Sequence, residues 1–83
     1  MDPMKDAANI AKHGISLVLG AAVLSASLGE VEDTRRAYGE TRMNAYGVVA
    51  GRLMACTYTR RGNVVRLISV RVASKKERAT WLP

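Results

Sequence analysis

The first part of the chain spaces its apolar and polar residues as helices do. The Asp-Pro pair at residues 2–3 is typical of a helix start and the His-Gly pair at residues 13–14 of a helix end, so we predict a first helix over about residues 3–12. A second, uncharged helix is predicted over about residues 16–28. It is too short to span a membrane and suits a position on a sheet face. An acidic loop is expected over residues 29–38.

From residue 40 onward the hydrophobic period changes from the helical value to two. This alternation predicts strands over about residues 40–49, 52–59 and 63–72. The short segments between them, residues 50–51 and 61–62, each contain a glycine and suit tight hairpin turns. We therefore expect an antiparallel meander of three to four strands.

The two faces of this predicted sheet differ in polarity. One face is mostly apolar, would receive the second helix, and collects Met43, Ala45, Gly47, Val49, Met54, Cys56, Tyr58, Val65 and Leu67. The opposite face is polar and collects Glu40, Arg42, Asn44, Tyr46, Thr57, Thr59 and Arg66. Polar groups are expected to converge on the second face.

The position of Arg71 depends on the register of the last hairpin. If both turns are two-residue loops, Arg66 lies opposite Thr57 on the polar face. Arg71 then falls on the apolar face directly opposite Arg52, an arrangement that like charges avoid. Either a bulge near residues 68–69 turns Arg71 over, or Arg71 projects at the rim of the sheet.

The end of the chain has the spacing of a helix capping box. Ser74 and Glu77 are placed so that each satisfies a backbone donor of the other, which predicts a short final helix. Trp81 is expected to dock on the edge of the domain. Together these elements predict a single α+β domain over residues 1–83, with two N-terminal helices packed on the meander and a short C-terminal helix.

Positive charge is concentrated in the second part of the chain. From Arg35 onward there are eleven Lys or Arg residues and only two acids, Glu40 and Glu77, whereas residues 1–34 carry a net charge of −3. Such a field attracts polyanions and adds little to folding stability. RNA, DNA or an acidic protein is therefore the expected partner.

The lone Cys56 bounds the class of the protein further. A single cysteine within an apolar strand forms no disulfide within the chain and offers no metal-ligand spacing. We expect it to be buried in a protein of a reducing, cytoplasmic compartment, with no cofactor and no metal site.

Two stretches of the sequence resemble the BrnT family of bacterial type II toxins. The motifs that carry the resemblance are Asp2-Pro-x-Lys5, Asn9-x-x-Lys12-His13-Gly14-Ile15, Glu40-x-Arg42 with Gly47 after it, Gly62-Asn-x-Val-Arg66-x-Ile68-Ser69-x-Arg71-x-Ala73 and Glu77-Arg78. The sequence departs from the family in having Leu17 and Leu24 where Phe is usual, and in showing no strand ahead of the Asp-Pro pair.

The resemblance implies a RelE-like fold and a ribonuclease that arrests translation, acting on RNA free or on the ribosome. It also implies neutralisation by an antitoxin with a ribbon-helix-helix DNA-binding domain, with two toxins on an antitoxin dimer. DNA would then be contacted only through the antitoxin, and no membrane is involved.

RNA cleavage without a metal needs cations for the phosphate and groups that move protons. Carboxylates are too scarce after residue 34 to favour a two-metal site. Arg42 and Arg66, on the polar face, are therefore the predicted phosphate ligands, and Arg71 joins them through the family motif. His13 and Glu40 are the open alternatives for the general base.

The remaining candidates are expected to contact RNA, and several have a purely structural alternative. The predicted RNA-binding residues are Lys5, Lys12, Thr57, Thr59, Arg60 and Arg61. His13 also suits a helix end, where it satisfies a carbonyl, and Glu40 with Arg42 suits a surface ion pair.

The leading hypothesis is a toxin ribonuclease that cleaves RNA by metal-independent transesterification. A non-enzymatic nucleic-acid-binding module is the first alternative, because the same charge asymmetry suffices for it. A subunit whose basic surface binds an acidic protein partner is the second.

Overall fold

Antiparallel strands and three helices make up the part of the chain that the computed structural model describes, residues 3–34 and 39–82. In chain order the elements are α1 (Pro3–His13), α2 (Leu19–Ser25), β1 (Ser27–Glu32), β2 (Arg42–Val49), β3 (Arg52–Arg61), β4 (Val64–Val72) and α3 (Lys75–Trp81). Within these residues the four strands form one antiparallel sheet in the order of the sequence, which leaves β1 and β4 at its edges. The predicted α+β class and the meander are confirmed.

The first helix begins and ends almost where the sequence predicts. It runs over Pro3–His13 and ends at Gly14, whose φ of +70° is the left-handed conformation of a helix C-cap. The Gly14 amide donates to the Ile10 carbonyl at 2.7 Å and so closes the last turn. Asp2, the predicted N-cap, lies outside the described residues.

The second helix is shorter than predicted, and the predicted acidic loop is partly a strand. Helix α2 ends at Ser25, and residues 27–32 form β1, which pairs with β2 and has a register shift between Ser27 and Gly29. Without β1 the outer backbone groups of β2 would be an unpaired edge. Strand pairing therefore overrides the helical pattern of these residues.

A glycine lets the end of α2 lie directly on the backbone of β2. A Cβ added at Gly47 would stand 2.7 Å from the Val23 carbonyl oxygen and 3.0 Å from that of Ala26. Because the helix approaches this closely, the chain that leaves it is already beside β2 and continues as β1. Residues 35–38, the rest of the predicted loop, lie outside the described residues.

The hairpin between β3 and β4 is shifted from its predicted register. Its turn is Gly62-Asn63, so that Arg61 pairs with Val64, and Arg66 lies opposite Thr59 rather than Thr57. Gly62 has a φ of +59°, as the first central residue of a type II′ turn requires. The prediction placed this glycine second in the turn, which moved the pairing by two residues and left the side chains of residues 64–67 on their correct faces.

A bulge in β4 decides where Arg71 lies. Tyr58 pairs with Leu67 and Thr57 with Ser69, so Ile68 is an extra residue in the ladder. Beyond it the alternation of side chains is reversed, and Arg71 is paired with Ala55 on the same face as Thr57. Of the two predicted alternatives for Arg71, the bulge is therefore confirmed.

Apolar side chains pack on both faces of the sheet. Between α2 and the sheet lies a core of Leu17, Val23, Met54, Cys56 and Val70. Burial raises the pKa of the Cys56 thiol to about 11, so the thiol stays protonated in this core.

In the described part of the chain, no helix combines the length and the apolar character needed to cross a membrane.

A second apolar cluster corrects the prediction of a wholly polar opposite face. Tyr46, Leu53, Ala55 and Ala73 are buried there, and Trp81 of α3 stacks on Tyr46 with ring centroids 5.1 Å apart. The other end of this face, near Arg42 and Arg66, is polar. The predicted docking of Trp81 is confirmed.

We expect Gly47→Ala to lower the free energy of unfolding by about 1–3 kcal/mol, because its methyl group would press on the α2 carbonyls. Chemical denaturation measures the change. Val48→Ala, at the adjacent and exposed position of β2, is the control and should change stability by less than about 0.5 kcal/mol. Equal stability of Gly47→Ala and wild type would contradict the close approach.

Candidate active site

A cavity of about 700 Å³ opens between α1 and the polar part of the sheet. Its lining includes six of the predicted site residues, from both helix and sheet. The lining residues are Lys5, Ala8, Asn9, Lys12, His13, Asp33, Arg42, Thr57, Ile68, Ser69 and Arg71. We call it the basic cavity, because four of these side chains are Lys or Arg.

Helix α1 is fixed against the outer edge of β4 by one side chain. The buried Asn9 amide donates to the Val70 carbonyl at 2.9 Å and accepts from the Val70 amide at 3.1 Å, as a neighbouring strand would. It also donates to the Ile15 carbonyl at 2.6 Å. Since Lys5, Lys12 and Asn9 share one face of α1, these bonds bring both lysines to the cavity.

The turn after α1 is held by an acid of the same helix. The carboxylate of Asp6 accepts from the Ser16 hydroxyl at 2.9 Å and from the Leu17 amide at 2.7 Å. These bonds join the start of α1 to the segment before α2. They leave the cavity side of α1 to the cationic residues.

Arg71 is half-buried and its guanidinium is held by Glu77 of α3. Two bonds join them, from Nη1 to Oε1 at 2.6 Å and from Nη2 to Oε2 at 2.8 Å. Glu77 also accepts from the Tyr46 hydroxyl at 2.6 Å and completes the predicted capping box with Ser74. The Arg71 guanidinium is the main reason that the pKa of Glu77 is far below its ordinary value.

The pairing of Arg71 with Glu77 also fixes the charge of the arginine. The hydrogen bonds to Glu77 raise the pKa of Arg71 further above its ordinary value, so it is a permanent cation in the cavity. The capping-box spacing revealed the bond of Glu77 to Ser74. It held no signal for Arg71, because that contact depends on the β4 bulge.

Arg42 enters the cavity from the sheet. It pairs with Thr59 in the ladder, beside Thr57, whose hydroxyl donates to the Asn44 side chain at 2.6 Å. The Nε atom of Arg42 lies 3.9 Å from a carboxylate oxygen of Glu40, the geometry of the predicted surface ion pair. Arg42 and Arg71 thus approach the cavity from the second and fourth strands.

His13 lies at the end of α1 beside these cations. Its pKa is lowered from the ordinary value of 6.5, first by partial burial and then by the charges of Lys12 and Arg71. A histidine with a lowered pKa is neutral near pH 7 and can accept a proton. Of the two predicted general bases, His13 is the one that lines the basic cavity.

Asp33 is a cavity residue that the sequence prediction missed. It is buried, and its backbone amide donates to the Arg42 carbonyl at 2.8 Å. The position was assigned to an acidic loop without a role, and only the pairing of β1 with β2 brings it beside Arg42. A carboxylate here is a second group able to accept a proton.

Five of the predicted site residues lie outside the lining of the basic cavity: Glu40, Thr59, Arg60, Arg61 and Arg66. Thr59 is buried and its hydroxyl donates to the Thr41 carbonyl at 2.8 Å. Arg61 lies 3.4 Å from Glu40 on the surface. Arg66 shares the face of Arg42, with Thr59 between them, and lines a neighbouring cavity.

Within residues 3–34 and 39–82, no three His, Cys, Asp or Glu side chains are grouped so that they could hold a metal ion. The groups of the basic cavity that can bind an anion or move a proton are its cations, His13 and Asp33.

Glu77→Gln should destabilise the protein by about 2 kcal/mol near neutral pH, because the charged bonds to Arg71 become neutral ones. Since the folded-state pKa of Glu77 lies below its ordinary 4.5, its contribution is present above that pH and is lost as pH falls below it. Melting curves from pH 7 to 2 should show that the melting temperature falls less for the variant than for wild type. Glu32→Gln, exposed on β1, is the control, and identical slopes for all three would contradict the linkage.

The comparison with known protein families agrees with the resemblance noted in the sequence. Residues 1–77 match the family described as ribonuclease toxin, BrnT, of type II toxin-antitoxin system. No curated protein matches the chain. Because the family match spans nearly all of the 83 residues, the chain belongs to the BrnT family of ribonuclease toxins of type II toxin-antitoxin systems.

Proposed function

We propose that this chain is an endoribonuclease that cleaves RNA by transesterification in the basic cavity, without a metal ion. The observation that carries the proposal is the convergence of Arg42, Arg71, Lys12 and His13 on one cavity. Three of these side chains are cationic and can bind the negative charge of a phosphate. A histidine biased toward its neutral form meets the need for a base.

Arg42 and Arg71 are the proposed ligands of the scissile phosphate. Guanidinium groups bind phosphate oxygens with paired hydrogen bonds and keep their charge at any working pH. Glu77 fixes the direction of Arg71, so little reorganisation is needed when charge builds up on the phosphate. Lys5 and Lys12 add to the positive field from the facing helix.

His13 is the proposed general base. It takes the proton of the ribose 2′-hydroxyl as the 2′-oxygen attacks phosphorus; the bond from phosphorus to the 5′-oxygen then breaks, leaving a 2′,3′-cyclic phosphate. The 5′-oxygen takes a proton from Lys5, Lys12 or water. Asp33 lines the same cavity and is the second candidate for the base.

In the cell, cleavage of RNA, free or on the ribosome, would arrest translation. An antitoxin with a ribbon-helix-helix domain would neutralise the chain in the cytoplasm, with two toxins on an antitoxin dimer. The positive net charge of +6 supports binding of an acidic antitoxin segment.

Labelled RNA incubated with the purified chain and excess EDTA should be cleaved to fragments with 2′,3′-cyclic ends. Arg71→Gln should lower kcat/KM by about 10²–10³-fold, the usual effect of losing one charge-stabilising donor. Arg52→Gln, which removes an exposed arginine remote from the cavity, is the matched control. A salt-sensitive mobility shift with intact RNA would instead support the non-enzymatic binding module.

The pH–rate profile should identify the base. His13 must be neutral to accept the proton, so kcat/KM should fall as pH drops through the His13 pKa, which lies below 6.5. Lys12→Gln should move this acid limb to higher pH, because it removes one of the charges that lower the pKa of His13. An unmoved limb in Lys12→Gln, together with a limb retained in His13→Ala, would assign the base to another group such as Asp33.

A further inference from the structure

A second cavity, of about 520 Å³, lies beside the basic cavity. Its floor is apolar, and three cationic side chains surround it. The lining residues are Lys5, Leu17, Arg61, Val64, Val65, Arg66 and Leu67. We call it the hairpin cavity, because most of its lining comes from the β3–β4 hairpin. The reaction proposed above uses only Lys5 among these residues.

The two cavities are lined by successive segments of β4. Residues 64–67 line the hairpin cavity, and Ile68, Ser69 and Arg71 line the basic cavity. Lys5 lines both. A single polyanionic chain that reaches from one cavity to the other would pass Lys5 and stay within the positive field.

The chemistry of the hairpin cavity matches a nucleotide. Arg61 and Arg66 can bind phosphate oxygens, and the side chains of Val64, Val65 and Leu67 offer an apolar surface for a base or ribose. The surface has no aromatic ring, so a base would be held by apolar contact rather than by stacking. Such a site is tolerant of sequence.

We propose that the hairpin cavity is a binding subsite for the part of a single-stranded RNA that flanks the scissile phosphate. The inference rests on the proposed ribonuclease function, which supplies the substrate and its position in the basic cavity. Arg61 and Arg66 contact the flanking phosphates, and Lys5 contacts the phosphate between the two cavities. Arg61 and Arg66 bind and position the RNA and take no part in the bond-breaking step.

The spacing along β4 sets the length of RNA that reaches both cavities. Arg66 and Arg71 pair with Thr59 and Ala55, which are four residues apart on β3, so about 14 Å separates them along the sheet at the usual rise of a strand. At the roughly 3.4 Å per nucleotide of a stacked strand, this distance corresponds to about four nucleotides, and to fewer in an extended strand. A dinucleotide is therefore too short to occupy both cavities, whereas an eight-nucleotide RNA is long enough.

Glu40 competes with RNA for this subsite. Its carboxylate lies 3.4 Å from Nη2 of Arg61 and 3.9 Å from Nε of Arg42, so it stands between arginines of the two cavities. A phosphate that binds Arg61 must either displace this carboxylate or lie next to it, where the two negative charges repel each other. The acid thus lowers the affinity for RNA where the two cavities meet.

The test uses 2′-O-methyl RNA, which cannot be cleaved because its 2′-oxygen is blocked, and measures binding alone by fluorescence anisotropy. For an eight-nucleotide oligomer, Arg66→Gln should weaken binding about two- to fivefold and reduce the slope of log K against log salt by about 0.7. For a dinucleotide it should change neither quantity. Arg66→Lys, which keeps the charge, should retain most of the affinity.

The matched controls remove the same charges elsewhere. Arg52→Gln loses one exposed arginine that lines neither cavity and should affect both oligomers slightly and equally. Glu40→Gln should tighten binding of the eight-nucleotide oligomer, a gain that misfolding cannot produce. Glu32→Gln neutralises an exposed acid on β1 and should leave the binding of this oligomer unchanged. Melting curves of each variant establish that it is folded.

Two results would overturn the inference. Equal losses for Arg66→Gln and Arg52→Gln at both lengths would show a diffuse field rather than a subsite. Unchanged RNA binding by Arg66→Gln, together with weaker binding of an acidic Glu-Leu peptide, would assign the cavity to a protein partner. Cleavage of unmodified RNA is measured separately, so a chain that binds through Arg66 but never cleaves would refute the proposed function and leave the binding subsite standing.

Discussion

The single extra residue in β4 is the constraint on which the arrangement of cationic side chains depends. In a regular strand, residues five apart point to opposite faces, so Arg66 and Arg71 would be separated by the sheet. The bulge at Ile68 cancels one step of the alternation and places both on the face of Arg42. It also lets Leu67 and Val70, three residues apart, both pack against the α2 side. One local irregularity therefore serves the core and the site together.

Concentrating cations on one face costs stability, and Glu77 offsets part of that cost. It binds Arg71 twice, accepts from Tyr46 and caps the helix that carries Trp81. The same side chain therefore joins the second apolar cluster to Arg71 of the basic cavity. A loss of packing under α3 would be transmitted to the direction of the Arg71 guanidinium, and a loss of the ion pair would loosen α3.

The sequence was enough to predict the parts of the fold that depend on local chemistry. The end of α1 at Gly14, the capping box of Ser74 and Glu77, and the first hairpin follow from residue types at fixed spacings, and all three were predicted correctly. Residues 27–32 were assigned to helix and loop because their strand exists only through pairing with β2, at a distance in sequence that no local pattern encodes.

In the candidate site, too, the features set by local sequence were predicted and those set by long-range pairing were not. Periodicity was enough to place Lys5 and Lys12 on one helix face and Arg42 beside Thr57, and these residues do meet at one cavity. The sequence did not predict that Asp33 lines the basic cavity or that Arg66 lies outside it. Both facts depend on the long-range strand register and on where α1 packs against the sheet. The position of α1 is fixed by the hydrogen bonds of Asn9 to the edge of β4. No local sequence pattern identifies an asparagine within a helix as making such a contact.

The electrostatics of the basic cavity couple the proposed base to its substrate. Partial burial, and then the charges of Lys12 and Arg71, lower the pKa of His13, which keeps the imidazole neutral but also makes it a weaker base. In the proposed reaction the phosphate brings negative charge to the same cations and offsets their effect on His13. The electrostatic part of the lowering is therefore smaller with a phosphate bound than without it, whereas the part due to burial remains. Cations that bind the phosphate thereby also influence the proton affinity of the proposed base.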